Sequence, residues 1–236
     1  SGNSNVAVGE SSLENNTTAS NNTAVGHQAG YTNSTGTNNA FFSYRAGYTN
    51  TTGASNVAVG LQSLFQNTTG SYNIAIGQQA LQANSTASGN TAMGYQSSYS
   101  NTTGNQNIAL GMYSLYSNTT ASNNTALGYQ AAYSNTTGTS NVAVGMNSLV
   151  TNTTGSNNVG LGLNALRLNV SGGSNVAIGT GALDSNTASN NTAVGYQALV
   201  LNTTGASNVA LGTDALFYNT TASSNTTVGY QAGYAN

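Results

Sequence analysis

Twelve asparagines, one per copy of a short repeat, each begin an Asn-x-Ser/Thr triplet: Asn16, Asn33, Asn50, Asn67, Asn84, Asn101, Asn118, Asn135, Asn152, Asn169, Asn202 and Asn219. That triplet is the acceptor pattern for an N-linked glycan, which would join the side-chain amide nitrogen. A second reading needs no sugar. Asn-Thr-Thr-Gly is good turn text, and asparagines stacked in register form amide ladders. An asparagine turned inward into a ladder could not carry a glycan, and a glycan on the neighbouring threonines is the remaining option. Asn186-Thr187-Ala188 loses the pattern, and Asn236 ends the chain.

Other groups with chemistry are few. His27 has no paired nucleophile and stands where other copies carry Tyr, so it reads as a surface substitution and not a triad member. Glu10 and Glu14 share one copy, and no other copy repeats the pair, so they read as solvated carboxylates. With no Cys and one His, neither a metal site nor a cofactor is expected, and no enzyme activity. The stretch Ala40-Phe41-Phe42-Ser43-Tyr44-Arg45 breaks the repeat pattern. Phe41, Tyr44 and Arg45 are its candidate surface-binding residues, suited to a glycan or receptor.

What positions these residues is the repeat itself. A motif glycine recurs at Gly9, Gly26, Gly60, Gly77, Gly94, Gly111, Gly128, Gly145, Gly162, Gly179, Gly195, Gly212 and Gly229, with Ser43 in the remaining slot. The period is 17, with one step of 16 between Gly179 and Gly195. Taking that glycine as position 0, position −4 is Asn in all fourteen copies (Asn5 to Asn225), and position +7 is Asn in all fourteen (Asn16 to Asn236). Position −1 is always apolar, and position +3 is always Ala or Ser. A fixed period of this size marks a stacked repeat architecture, in which no unit buries its own apolar face.

Two short β runs per copy, Val-Ala-Val-Gly and Ser-Leu-x-x, separated by turn clusters, predict an all-β fold. The expected architecture is a parallel β-solenoid of about fourteen 17-residue rungs, with residues 1–236 forming a single continuous array. At about 4.8 Å per rung it would extend on the order of 67 Å. Parallel stacking turns both Asn columns into ladders, each side chain bonded to the next. Position −3 is Val or Ile where +4 is Leu (Ile74 with Leu81, Val142 with Leu149), except for Thr192 with Leu199, and often Thr where +4 is small (Thr125 with Ala132). That pairing suggests contact inside the roll, although copying of a double repeat would also produce it. With −3 and −1 inward, the intervening Ala column would face out and lead to lateral self-association.

Composition narrows the partners. Charged residues are 3% of the chain and the net charge is −2, so phosphate neutralisation cannot drive nucleic-acid binding. No run approaches the roughly 20 apolar residues of a membrane span, so membrane insertion is not expected. The chain, with no visible cap at either end, is expected to be a piece of a longer array.

The residues Asn141-Val142-Ala143-Val144-Gly145-Met146-Asn147-Ser148 resemble the head repeat of trimeric autotransporter adhesins. The full 17-residue text is also similar to repeats in phage tail-fibre proteins that carry a self-cleaving chaperone domain. The adhesin resemblance implies a left-handed parallel β-roll in a homotrimer, although the Asn-Thr-Thr-Gly turn makes this repeat longer. The expected function is therefore a self-associating structural segment of an extracellular, cell-surface or virion fibre, as homotrimer or polymer, bearing or meeting glycans. A glycan- or receptor-binding tip and an ice-binding solenoid are the alternatives.

Overall fold

The computed structural model describes residues 2–235, and every described element is a three-residue strand. The chain divides into two compact units, Ser1–Ser122 and Asn123–Asn236. The first holds β1 (Val6–Val8) through β7 (Ile108–Leu110), the second β8 (Thr125–Leu127) through β14 (Thr226–Val228). Within each unit the strands lie parallel in chain order, offset by one repeat. Val57 stands opposite Ile74 and Ala75 opposite Ala92 in the first, and Val142 opposite Val159 in the second. The 16-residue step leaves register intact, since Val176 still faces Thr192. The fold is a parallel β-solenoid with a 17-residue rung.

All strands but one end at the motif glycine, Ser43 standing in the remaining slot, because the chain must turn where the next rung lies hard against it. Gly77 has φ +129°, and a Cβ there would stand 2.5 Å from the Gly94 carbonyl oxygen. Only glycine satisfies both demands without strain.

Beyond that glycine the structure departs from the expected second β run. Gln62 and Leu64 have φ of 53° and 51°, in the left-handed region, so Ser-Leu-x-x is a coiled turn. Ser63 N–H donates to the Gly60 carbonyl at 3.1 Å, closing the turn locally. Inter-rung bonding nevertheless continues through it: Leu64 N–H donates to Ala80 and Gln66 N–H to Gln82, both at 2.9 Å. One strand per rung is enough because the turn backbone also pairs with its neighbours.

The interior is narrow, and this reverses the expected faces of the strand. Ala58, Ala75, Ala143 and their column are fully buried, whereas Val59 and Ile74 beside them are 37% and 38% exposed. Leu64, Leu81, Leu149 and Leu166 from position +4 complete the apolar core, with Ser63 or Ala80 from position +3. The −3 side chain therefore lies outside the wall and the +4 leucine inside it, so their pairing in the sequence reflects no contact in the core.

Phe41 shows how little room there is. It occupies the inward Ala position of β3 (Ala40–Phe42) and is fully buried. The +4 residues nearest it are Gly30 and Gly47, and a Cβ on Gly30 would stand 2.8 Å from the ring. Thr227, another large residue in this column, is likewise matched by Gly233, where a Cβ would lie 3.0 Å from its methyl carbon.

Candidate interaction surfaces

The two Asn columns form ladders of different kinds. At position +7, Asn67 Nδ2 donates to Asn50 Oδ1 at 2.6 Å and to the Gly70 carbonyl at 2.9 Å. Asn152 repeats this in the second unit, reaching Asn135 Oδ1 at 2.8 Å and Gly155 at 2.9 Å. This is the expected side-chain ladder. At position −4 the side-chain oxygen accepts a backbone N–H, and in some rungs the amide as well: Asn73 donates to Asn56 Oδ1 from its backbone N at 2.9 Å and from Nδ2 at 3.2 Å. Asn56 Nδ2 reaches the same Gly70 carbonyl at 2.8 Å, so one carbonyl ties both columns together. Buried amides used this fully define the rung, because each unmet polar atom would carry a desolvation penalty.

This geometry bears directly on the twelve sequon asparagines. Asn33, Asn50, Asn67, Asn84, Asn101, Asn118, Asn135, Asn152, Asn169, Asn202 and Asn219 are buried, and Asn16 is half-buried. The nitrogen that would carry a glycan is a ladder donor facing the interior. A sugar there would have to lie inside a coil that has no space for it. Asn236 lies outside the described residues.

The +7 ladder is interrupted at Asn16 and at Asn169, whose Oδ1 atoms are buried without a partner; in the shortened rung that follows Asn169, Asn186 Nδ2 donates to the Ala188 carbonyl at 2.7 Å. Pairing resumes one rung later, where Asn202 Nδ2 donates to Asn186 Oδ1 at 2.7 Å.

Of the three candidate binding residues, the structure brings two to the surface. Phe41 is core, which removes it from any binding site. Tyr44 is exposed, and the Arg45 guanidinium lies 5.1 Å from the Tyr44 ring centroid and 5.2 Å from that of Tyr48. Arg45 Nε also donates to Gln28 Oε1 at 2.7 Å, and His27 stacks on Tyr44 at 5.5 Å. At position +5, Tyr31, Tyr48 and Phe65 stack with successive centroids 5.2 Å apart.

Two pairs of ionisable side chains meet across rungs among the described residues. His27 Nδ1 lies 3.3 Å from Glu10 Oε2, and Arg167 meets Asp184 through two bonds, at 2.7 and 2.9 Å. Hydrogen bonding to Asp184 raises the Arg167 guanidinium above its ordinary pKa, opposed in part by desolvation. Among the described residues there is no cluster of His, Cys, Asp or Glu able to hold a metal, no cleft, and no helix long and apolar enough to cross a membrane.

What the sequence reading missed is the outer face of the strands. The −1 side chains, apolar in every copy, line the outer face of each unit with the Val or Ile that most copies carry at −3; Val59, Ile74, Met93 and Ile108 in the first unit and Leu127, Val142 and Leu161 in the second are exposed. Ile108 and Leu127 are 43% and 44% exposed, a high value for strand residues of this size. The available signal was a strand apolar on both sides, which announces two buried faces without saying which one the coil itself covers. Comparison of the chain with family models, curated proteins and solved structures found no match.

Proposed function

We propose that this chain is a structural segment or subunit of an extracellular fibre, in a homotrimer or a polymer, and that it self-associates through the outer Val/Ile/Leu/Met stripe. The observation that carries the reading is the stripe: an outward apolar side chain at −1 in every rung, flanked by Val or Ile at −3 in most, which a single chain leaves uncovered. The polar side chains support it from the other direction. Asn, Thr and Gln side chains bond mainly from rung to rung, as in Gln96 to Gln79 at 2.7 Å, and so serve to hold the rungs together. Electron microscopy and sedimentation of native material test the proposal. Filaments or a discrete oligomer are expected, and a monodisperse monomer at micromolar concentration would refute it.

A glycan- or receptor-binding surface is the second reading, favoured by one local arrangement: Arg45 between the Tyr44 and Tyr48 rings, beside His27. Aromatic faces suit sugar rings, and the guanidinium suits an acidic or hydroxyl substituent. Binding on a glycan array that is lost with Arg45→Ala would favour this reading over a purely structural one.

A further inference from the structure

The chain has two arginines and no lysine, and only one of the two is neutralised. Arg167 meets the Asp184 carboxylate through its two hydrogen bonds, at 2.7 and 2.9 Å. Arg45 has no carboxylate. Its Nε donates to Gln28 Oε1 at 2.7 Å, and among the described residues no other hydrogen bond or ion pair reaches the guanidinium. The N–H donors of its terminal nitrogens are therefore available to a ligand. The group is nonetheless held in place. Gln28 ties it to the preceding rung, and the Tyr44 and Tyr48 ring centroids lie 5.1 and 5.2 Å from its central carbon. A cation fixed before its ligand arrives loses little side-chain entropy on binding.

The rings around it spend much of their face within the cluster. Tyr44 stacks on His27 with centroids 5.5 Å apart, and Tyr48 lies between Tyr31 and Phe65 at 5.2 Å from each. Recognition at this point of the surface therefore falls mainly to the guanidinium. Its paired terminal nitrogens match the two oxygens of one carboxylate in a bidentate bond. Between Glu14 and Arg167 it is the only Asp, Glu, Lys or Arg in the sequence. A lone cation suits a single negative charge, whereas a polyanion needs a row of cations. The hydroxyls of Tyr44 and Tyr48, and the Gln62 amide one rung on, are neutral hydrogen-bonding groups of the kind that serve a sugar's hydroxyls. Ser43, two residues before Arg45, holds φ at 117° where other rungs have glycine, and backbone strain of this kind gathers at ligand sites.

We propose that Arg45 binds the carboxylate of an acidic sugar, with Gln28, Tyr44 and Tyr48 as the residues that position it. The inference rests on the reading of a glycan-binding surface and narrows it, from sugars in general to those that carry a carboxylate. It does not depend on the fibre reading, since the cluster lies on the rungs of one chain.

Binding to surface-displayed oligosaccharides that differ only in their terminal residue, a hexuronic acid or the corresponding neutral hexose, tests it. The uronate form should bind about tenfold or more tightly than the neutral one, and the difference should shrink as sodium chloride is raised. Arg45→Gln should remove the preference while leaving circular dichroism and the thermal midpoint unchanged. Arg45→Lys should restore little of it, because an ammonium lacks the planar fork. Arg167→Gln should bind as the parent does. Equal binding of both sugars that is lost with Arg45→Gln would overturn the acidic ligand and leave the glycan surface standing. Binding of neither sugar would overturn both. A uronate preference that survives Arg45→Gln, or tighter binding of a sulfated hexose than of the uronate, would overturn the assignment of a carboxylate to Arg45.

Discussion

Ser43 holds φ at 117° in the slot that every other rung gives to glycine. A side chain in this region of backbone space costs about 1–3 kcal/mol, and nothing in its own bonding offsets the cost. Ser43→Gly should therefore stabilise the chain by on the order of 1 kcal/mol, after the larger unfolded-state entropy of glycine is deducted. Thermal unfolding would register this as a rise of roughly 2–4 °C. Two positions earlier, Phe41→Ala restores the repeat consensus, yet it should destabilise by about 3–5 kcal/mol. The reason is that Gly30 and Gly47 have no side chain to refill the space the ring leaves. Adding Gly30→Leu and Gly47→Leu to Phe41→Ala should recover most of the loss, because leucine occupies the same left-handed position in Leu64 and Leu81. A cycle of the single and combined variants would expose this coupling, and simple additivity would disprove it.

At the scale of the rung, the shortened turn offers the sharpest check on the ladder. Inserting Thr between Thr187 and Ala188 restores the 17-residue period and lets Asn186 reach Asn169 Oδ1, now buried and unpaired. The gain should be about 1 kcal/mol, seen as a higher denaturant midpoint with unchanged slope. No gain would mean that the amide ladder contributes little. The period, the parallel register and the +7 ladder were all legible in the sequence, since invariant Asn at fixed spacing has few other uses. The faces of the strand were not. Val-Ala-Val is apolar on both sides, and polarity alone cannot rank them. The decision rests on volume, because a 17-residue coil that already encloses Leu64, Asn56 and Asn67 admits only a methyl group at the strand. Phe41 was misleading for the same reason: its role depends on Gly30, eleven residues away in sequence and adjacent only once the coil closes.

At the scale of the whole molecule, the outer stripe and the scarcity of charge act together. A chain in which charged residues are 3% of the sequence has almost no repulsion to hold copies apart, and apolar contact is insensitive to ionic strength. The proposed self-association should therefore persist from low to high sodium chloride, and strengthen in sulfate, which favours apolar burial. Placing cations on the stripe should reverse it. Ile74→Lys with Ile108→Lys alters two side chains that are 38% and 43% exposed and leaves the buried Ala75 and Ala109 columns untouched. Folding should be retained, with circular dichroism and thermal midpoint near those of the parent, because exposed positions away from core and ladder tolerate substitution. Association should fall by at least tenfold in sedimentation, since each ammonium would have to be desolvated against apolar surface. A variant that folds and still assembles as the parent does would place the interface elsewhere on the coil. The aromatic column of Tyr31, Tyr48 and Phe65 would then be the next face to alter.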